Sequence, residues 1–155
     1  MDADQHRAAA VEANNATWEL LDGRAHTAEE ADELLGRAYA AAHHWRRAAD
    51  ATAVNAARAS WLVSRAHATL GHGELALHHA DRCAAHTMAA GDAAADFDRV
   101  YALEARARAL AALGRDDDAR TTRAEAETAA VAVAHEQDRE IVEGDLAAPP
   151  WFGLA

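Results

Sequence analysis

A helical-hairpin unit occurs twice in this chain, at an offset of 43 residues. Residues 61–83 read WLVSRAHATLGHGELALHHADRC, and residues 104–126 read EARARALAALGRDDDARTTRAEA. Across that offset Ala59 matches Ala102, Arg65 matches Arg108, Ala66 matches Ala109 and Ala68 matches Ala111. Leu70-Gly71 matches Leu113-Gly114, and Ala76 matches Ala119. Both copies run as a helix, a Leu-Gly stop and a second helix. A unit of this size cannot bury its apolar face alone, so it stacks on its neighbours, and stacking creates a groove.

Composition points the same way. About 30% of the residues are alanine, all the basic side chains are arginine, and Ile141 is the only isoleucine. Alanine and arginine are strong helix formers, and β-branched residues are scarce. Proline is confined to Pro149-Pro150, so nothing breaks a helix earlier. At 155 residues the chain is expected to be one domain, 1–155, ending in an apolar tail over 149–155.

Stop and start signals divide the chain into seven helices. The first covers about 5–21 and ends near Gly23. Thr27 and Glu30 form a Thr-x-x-Glu capping box that opens the second, which runs to about Ala48. Asp50 or Thr52 caps the third, which stops at Gly71. The fourth covers about 74–91 and the fifth 96–114. Asp116, Asp117 and Asp118 sit in the first turn of the sixth, where carboxylates oppose the helix dipole favourably. A short seventh covers about 137–145. The connections are short, so consecutive helices pack antiparallel. Trp18, Leu35, Leu62, Leu70, Leu75, Leu103, Leu110 and Leu113 are the large residues expected to carry the burial.

These units resemble the tetratricopeptide (TPR) superfamily. Its small positions are matched by Ser64 and Ala107 in the first helices, and by Ala76, Ala119, Cys83 and Ala126 in the second; Leu103 and Leu110 fit large positions. Trp61 lies one residue off, Arg106, Ala80 and Arg123 depart from the pattern, and the period exceeds the usual 34 residues. A narrower resemblance runs through His44-Trp45, Asn55-Ala56-Ala57-Arg58, Trp61, Ser64-Arg65, Leu70-Gly71, Ala76-Leu77-His78-His79-Ala80 and Cys83. It continues through Asp96-Phe97-Asp98, Tyr101, Glu104 and the ending Pro150-Trp151-Phe152-Gly153-Leu154. On these segments the chain is similar to a family of small bacterial TPR-like proteins that carries no assigned activity. The resemblance implies an all-α, TPR-like stack of about three antiparallel hairpins plus a short C-terminal capping helix. It implies no reaction.

The formal net charge of −11 argues against a nucleic-acid partner and against an anionic membrane surface. Cys83 is the only cysteine, no apolar run reaches membrane-spanning length, and the N-terminal residues lack a signal-peptide pattern. A cytoplasmic location is the expectation.

Chemistry-bearing motifs are sparse. No Gly-rich phosphate loop, dinucleotide fingerprint or Gly-x-Ser-x-Gly elbow is present, and His135-Glu136-Gln137-Asp138-Arg139 has arginine where a zinc-protease helix needs its second histidine. No catalytic residue and no cofactor is assigned. A divalent metal has one candidate site: His72, His79, Cys83 and His86 share a stripe of the fourth helix, and His79 with Cys83 at i, i+4 could chelate an ion if His44 completed the set. The competing assignment makes Cys83 a small buried apolar residue.

The first helices of the hairpins carry the better constellation. Asn55, Arg58, Trp61 and Arg65 lie on the third helix; Phe97, Tyr101, Glu104 and Arg108 lie on the fifth. Arginine pairs carboxylates bidentately and aromatic rings add apolar contact, so Asn55, Arg58, Trp61, Arg65, Tyr101, Glu104 and Arg108 are the expected ligand-binding residues, for a peptide or protein partner bearing carboxylate. The alternative is an internal network, Glu104 with Arg65 or Arg108, that buttresses the stack. A non-catalytic adaptor is therefore expected, ahead of a small-molecule or metal-binding protein or enzyme with a His/Cys/Arg/Glu pocket. Trp151, Phe152 and Leu154 are too apolar to stay in water, and the tail is expected to dock on its own stack or on a second copy in a homodimer.

Overall fold

Local capping chemistry sets where the helices begin. In a computed structural model, which describes residues 1–21 and 25–154, α1 (Ala3–Trp18) opens on a capping box between Asp2 and Gln5. The Thr27–Glu30 box opens α2 (Ala28–Trp45), and a Thr52–Asn55 box opens α3 (Ala53–Thr69). Thr52 is thus the cap of α3; Asp50 instead takes a left-handed φ of 55°. The chain continues as α4 (Gly73–Ala90), a single 3-10 turn (Gly91–Ala93), α5 (Asp96–Ala112), α6 (Asp116–Val131) and α7 (Glu136–Ala147). Asp116, Asp117 and Asp118 occupy the first turn of α6. The stop expected at Gly23 lies outside the described residues.

The two Leu-Gly stops are the same structure made twice. Gly71 and Gly114 have φ of 76° and 70°, a region that costs a side-chain-bearing residue strain. His72 N–H donates to the His67 carbonyl and Gly71 N–H to that of Ala68; Arg115 and Gly114 repeat both bonds to Leu110 and Ala111. Each pair satisfies carbonyls left open by the helix end.

The described residues form an all-α stack. α1 pairs with α2, α3 with α4 and α5 with α6; α2 packs on α3, α4 and α3 pack on α5, and α7 closes the far end against α5 and α6. One core gathers Leu34, Trp61, Leu62 and Val63 among alanines from α2 to α5; a second gathers Val100, Leu110, Val133, Val142, Leu146, Trp151 and Leu154. The tail docks on its own stack through two of its three apolar residues: Trp151 and Leu154 are buried, with the Trp151 indole donating to the Leu146 carbonyl at 2.9 Å, while Phe152 is 43% exposed.

Alanine changes which large residues are buried. Leu34 is fully buried, in register with Ala38, Ala41 and Ala42, and Leu35 packs half-buried against the same core. Leu75 is 49% exposed, because α4 turns Gly73, Ala76, Ala80, Cys83 and Thr87 inward and leaves position 75 on its outer face. Trp18 is 42% exposed, and Leu70, Leu103 and Leu113 are half-buried. Leu62 and Leu110 are buried as expected. Small residues let backbones approach closely: a Cβ at Gly73 would stand 2.7 Å from Leu113 Cγ, across the boundary between the second and third hairpins.

Leu62→Ala should cost about 2–5 kcal/mol in urea unfolding, whereas Leu75→Ala should stay within about 0.5 kcal/mol of wild type. Equal losses at the two positions would contradict this assignment of faces.

Candidate functional site

The repeat places equivalent positions of adjacent hairpins side by side. Trp61 of α3 and Glu104 of α5, one period apart, are joined by a hydrogen bond from the indole Nε1 to Oε2 at 2.7 Å. Arg65, one turn further along α3, donates to Glu104 Oε1 at 2.6 Å, and Arg108 Nε, one turn along α5, donates to the same oxygen. All four side chains are buried, Glu104 entirely.

Two guanidiniums against one carboxylate leave an excess positive charge, and the C-terminal end of the fold absorbs it. Arg108 donates to the carbonyls of Asp145, Ala148 and Pro150 at 2.6, 2.9 and 2.9 Å, and Arg65 reaches that of Pro149 at 3.4 Å. The first two carbonyls belong to the end of α7, where the helix dipole is negative. The Arg108 guanidinium also lies 4.1 Å from the Trp151 ring centroid, and Arg123 lies 4.2 Å from it. Burial pulls the Arg108 pKa down to about 10, against the pull of Glu104. Tyr101 donates to Asp145 Oδ2 at 2.6 Å, and its own pKa is pushed up by burial and by that carboxylate. Arg65, Glu104 and Arg108 therefore form the internal network, and are not presented to a groove.

Above this network lies a cavity of 240 Å³ lined by both neighbouring hairpins and by α1. Trp61 forms its floor, with Trp18 stacked on it at 5.2 Å and Tyr101 edge-on at 5.1 Å. Phe97 stands edge-on to Tyr101 at 6.4 Å. Ala57, Cys83 and Thr87 fill little of the remaining wall, and Asn14 contributes from α1. At the rim Arg58 grips Asp98 with Nε to Oδ1 at 2.8 Å and Nη2 to Oδ2 at 3.1 Å. Asp98 is itself anchored by accepting from Ala95 N–H at 2.9 Å.

Of the expected ligand-binding residues, then, Arg58, Trp61 and Tyr101 meet in one cavity, while Arg65, Glu104 and Arg108 lie beneath it. Asn55 is held in the α3 capping box, its Oδ1 accepting from Thr52 N–H at 3.0 Å. Sequence reasoning missed Asp98 and Asn14, and took Trp18 for core. Asp98 carried a usable signal: it stands one period from Asn55, at the same helix-capping position, and an acidic residue there lies beside the arginine of the preceding unit.

The expected metal ligands are separated. His44 Nδ1 is 2.8 Å from His6 Nδ1 between α1 and α2. His79 shares the Tyr39 hydroxyl with His67, at 3.1 and 2.9 Å. Cys83 lines the aromatic cavity, where burial pushes its thiol up to about 12, so it stays protonated at neutral pH. His72 pairs with His67, and His86 faces a different hollow beside Trp45 and Arg82. Among the described residues no group of three or more His, Cys, Asp and Glu side chains is placed to hold a metal ion. The reason is geometric: from His72 to His86 the stripe runs about 21 Å along α4 at about 1.5 Å per residue, so its members meet different neighbours.

No family model matches this chain, and no curated protein or solved structure does either. No helix among the described residues is long and apolar enough to cross a membrane.

Two substitutions test these assignments. Glu104→Gln leaves two buried guanidiniums without their counter-charge and should cost about 3–5 kcal/mol by chemical denaturation; a loss below about 1 kcal/mol would show that the carbonyls alone suffice. Burial, then His78, His67 and Arg82, lower the His79 pKa to about 4. The unfolded chain, with its histidine near 6.5, therefore takes up the proton first, and stability is lost as pH falls through that window. The melting temperature should drop from about pH 7 to about pH 5, and drop less in His79→Gln.

Proposed function

We propose that this chain is a non-catalytic, TPR-like binding protein of the bacterial cytosol, and that it holds a peptide or protein partner by one side chain seated in the aromatic cavity. The observation that supports this is the lining: Trp18, Trp61, Phe97 and Tyr101 surround a hollow whose ionic groups, Arg58 and Asp98, stand at the rim. Aromatic rings give large contact area at low entropic cost and dominate binding energetics at protein interfaces. A volume of 240 Å³ falls below the roughly 300 Å³ at which pockets for whole small molecules begin. It suits one side chain of a larger partner, whose remaining contacts lie outside the cavity. Nothing around the cavity resembles a nucleophile with its base: Cys83 is held as a thiol, and its hydrogen-bonding neighbour Thr87 donates to the Cys83 carbonyl at 2.9 Å.

Selection of displayed random peptides on the folded chain tests this reading. Enriched peptides should bind wild type and lose at least about tenfold in affinity against Ala57→Leu, which fills the hollow from α3. Peptides that bind both proteins equally would place the partner surface elsewhere.

A further inference from the structure

The shape of the cavity says that one side chain enters; its electrostatics say which kind. Three arginines were available to attract a carboxylate. Arg65 and Arg108 are buried beneath the Trp61 floor and spent on Glu104 and the tail carbonyls. Arg58 alone reaches the cavity, and it is already held in a two-point grip by Asp98. A carboxylate entering here would meet the buried Asp98 in the wall, with no unpaired cation among the lining residues; Glu104, already paired with Arg65 and Arg108, does not line the cavity.

The opposite charge finds a prepared site. Asp98 is 4% exposed and anchored by the Ala95 N–H, whereas the Arg58 side chain is 53% exposed. The carboxylate is thus part of the wall, and the guanidinium reaches to it from solvent. That guanidinium also lies 5.2 Å from the Phe97 ring centroid. A cation on a ring face and a buried carboxylate is the arrangement that a ligand cation would reproduce. Aromatic faces attract cations through the ring quadrupole, most strongly those that are weakly hydrated. The net charge of −11 favours a cationic over an anionic partner at long range.

Resting on the side-chain-binding reading above, we infer that the cavity takes a methylated ammonium group on the partner's side chain, and that Arg58 is an internal stand-in which swings outward to admit it. The lining offers ring faces and a single carboxylate but few hydrogen-bond acceptors. This fits a cation that needs no hydrogen-bonding shell better than a primary ammonium or a guanidinium.

The test uses the whole chain, ¹⁵N-labelled, and follows the indole N–H resonances. Trp18 and Trp61 line the cavity; Trp45 and Trp151 lie outside it and serve as references. The probes are N-acetyl-trimethyllysine amide, its neutral isostere with tert-butyl in place of trimethylammonium, and N-acetylglutamate amide. The trimethylammonium probe should shift Trp18 and Trp61 and bind at least about tenfold tighter than the isostere. Asp98→Asn, which keeps the capping acceptor, should weaken it, and Arg58→Ala should tighten it by removing the competitor. Equal binding of cation and isostere would overturn the cationic inference while leaving the side-chain-binding reading intact. Preferred binding of the glutamate probe, lost in Arg58→Ala, would overturn it in favour of a carboxylate. Silence from all three probes would overturn it as well, and the peptide selection then decides the broader reading independently.

Discussion

The Glu104 carboxylate is the point on which the rest of the structure depends. It is wholly buried and accepts from Trp61 and Arg65 of α3 and from Arg108 of α5. A buried ion pair is weak evidence for stability, because desolvation offsets the attraction. Its contribution here is direction. The faces around it are built largely from alanine, whose contacts are short and nearly featureless, so packing alone discriminates poorly between one register and the next. The two donors from α3, Trp61 and Arg65, reach the two oxygens at one offset of α3 against α5 only, while Arg108 donates from within α5. Arg108 then extends the constraint to α7 and the tail by donating to carbonyls that the helix end leaves open.

The cavity follows from the same arrangement. Trp61 is held by its in-plane indole N–H donating to Glu104, which fixes the ring against rotation, and Trp18 stacks on one of its faces from α1. Around Trp61 the chain places Ala57, Cys83 and Thr87, which are too small to fill the space between α1, α3, α4 and α5. The small residues that let the helices come close elsewhere here leave a hollow, because the large aromatic groups prop the helices apart. The buried network and the open cavity are two sides of one layer: Arg65, Glu104 and Arg108 lie below, and the aromatic lining with the Arg58–Asp98 pair lies above.

A second set of polar contacts ties the α2, α3 and α4 layer together at its other end. Tyr39 bridges His67 and His79, whose rings stack at 5.9 Å, and His67 reaches His72 just past the α3 stop. Burial lowers the pKa of both His67 and His79, so the neutral forms that can share a hydroxyl proton are the favoured ones. This accounts for His72 and His79, which the sequence offered as metal ligands: they hydrogen-bond to side chains of neighbouring helices.

The sequence by itself determined the helices, their caps and stops, and the pairing of consecutive helices, because these depend on residues within a few positions of one another. Thr27 with Glu30, the two Leu-Gly stops and the Asp116–Asp118 turn were all legible for that reason. It also supplied the right cluster of side chains on α3 and α5, since the repeat puts equivalent positions in adjacent layers. Only the tertiary structure decided which members of that cluster face solvent. Arg65 and Arg58 lie two turns apart on one helix, and Arg108 matches Arg65 in the repeat, yet Arg58 reaches the cavity while the other two lie under it. Periodicity assigns a residue to a face of its own helix. Whether that face meets a carboxylate, a carbonyl from a docked tail or open water depends on chain tens of residues away. The same limit explains why Leu34 is fully buried and the adjacent Leu35 only partly so: one residue along a helix is a rotation of about 100°, enough to change what a side chain meets.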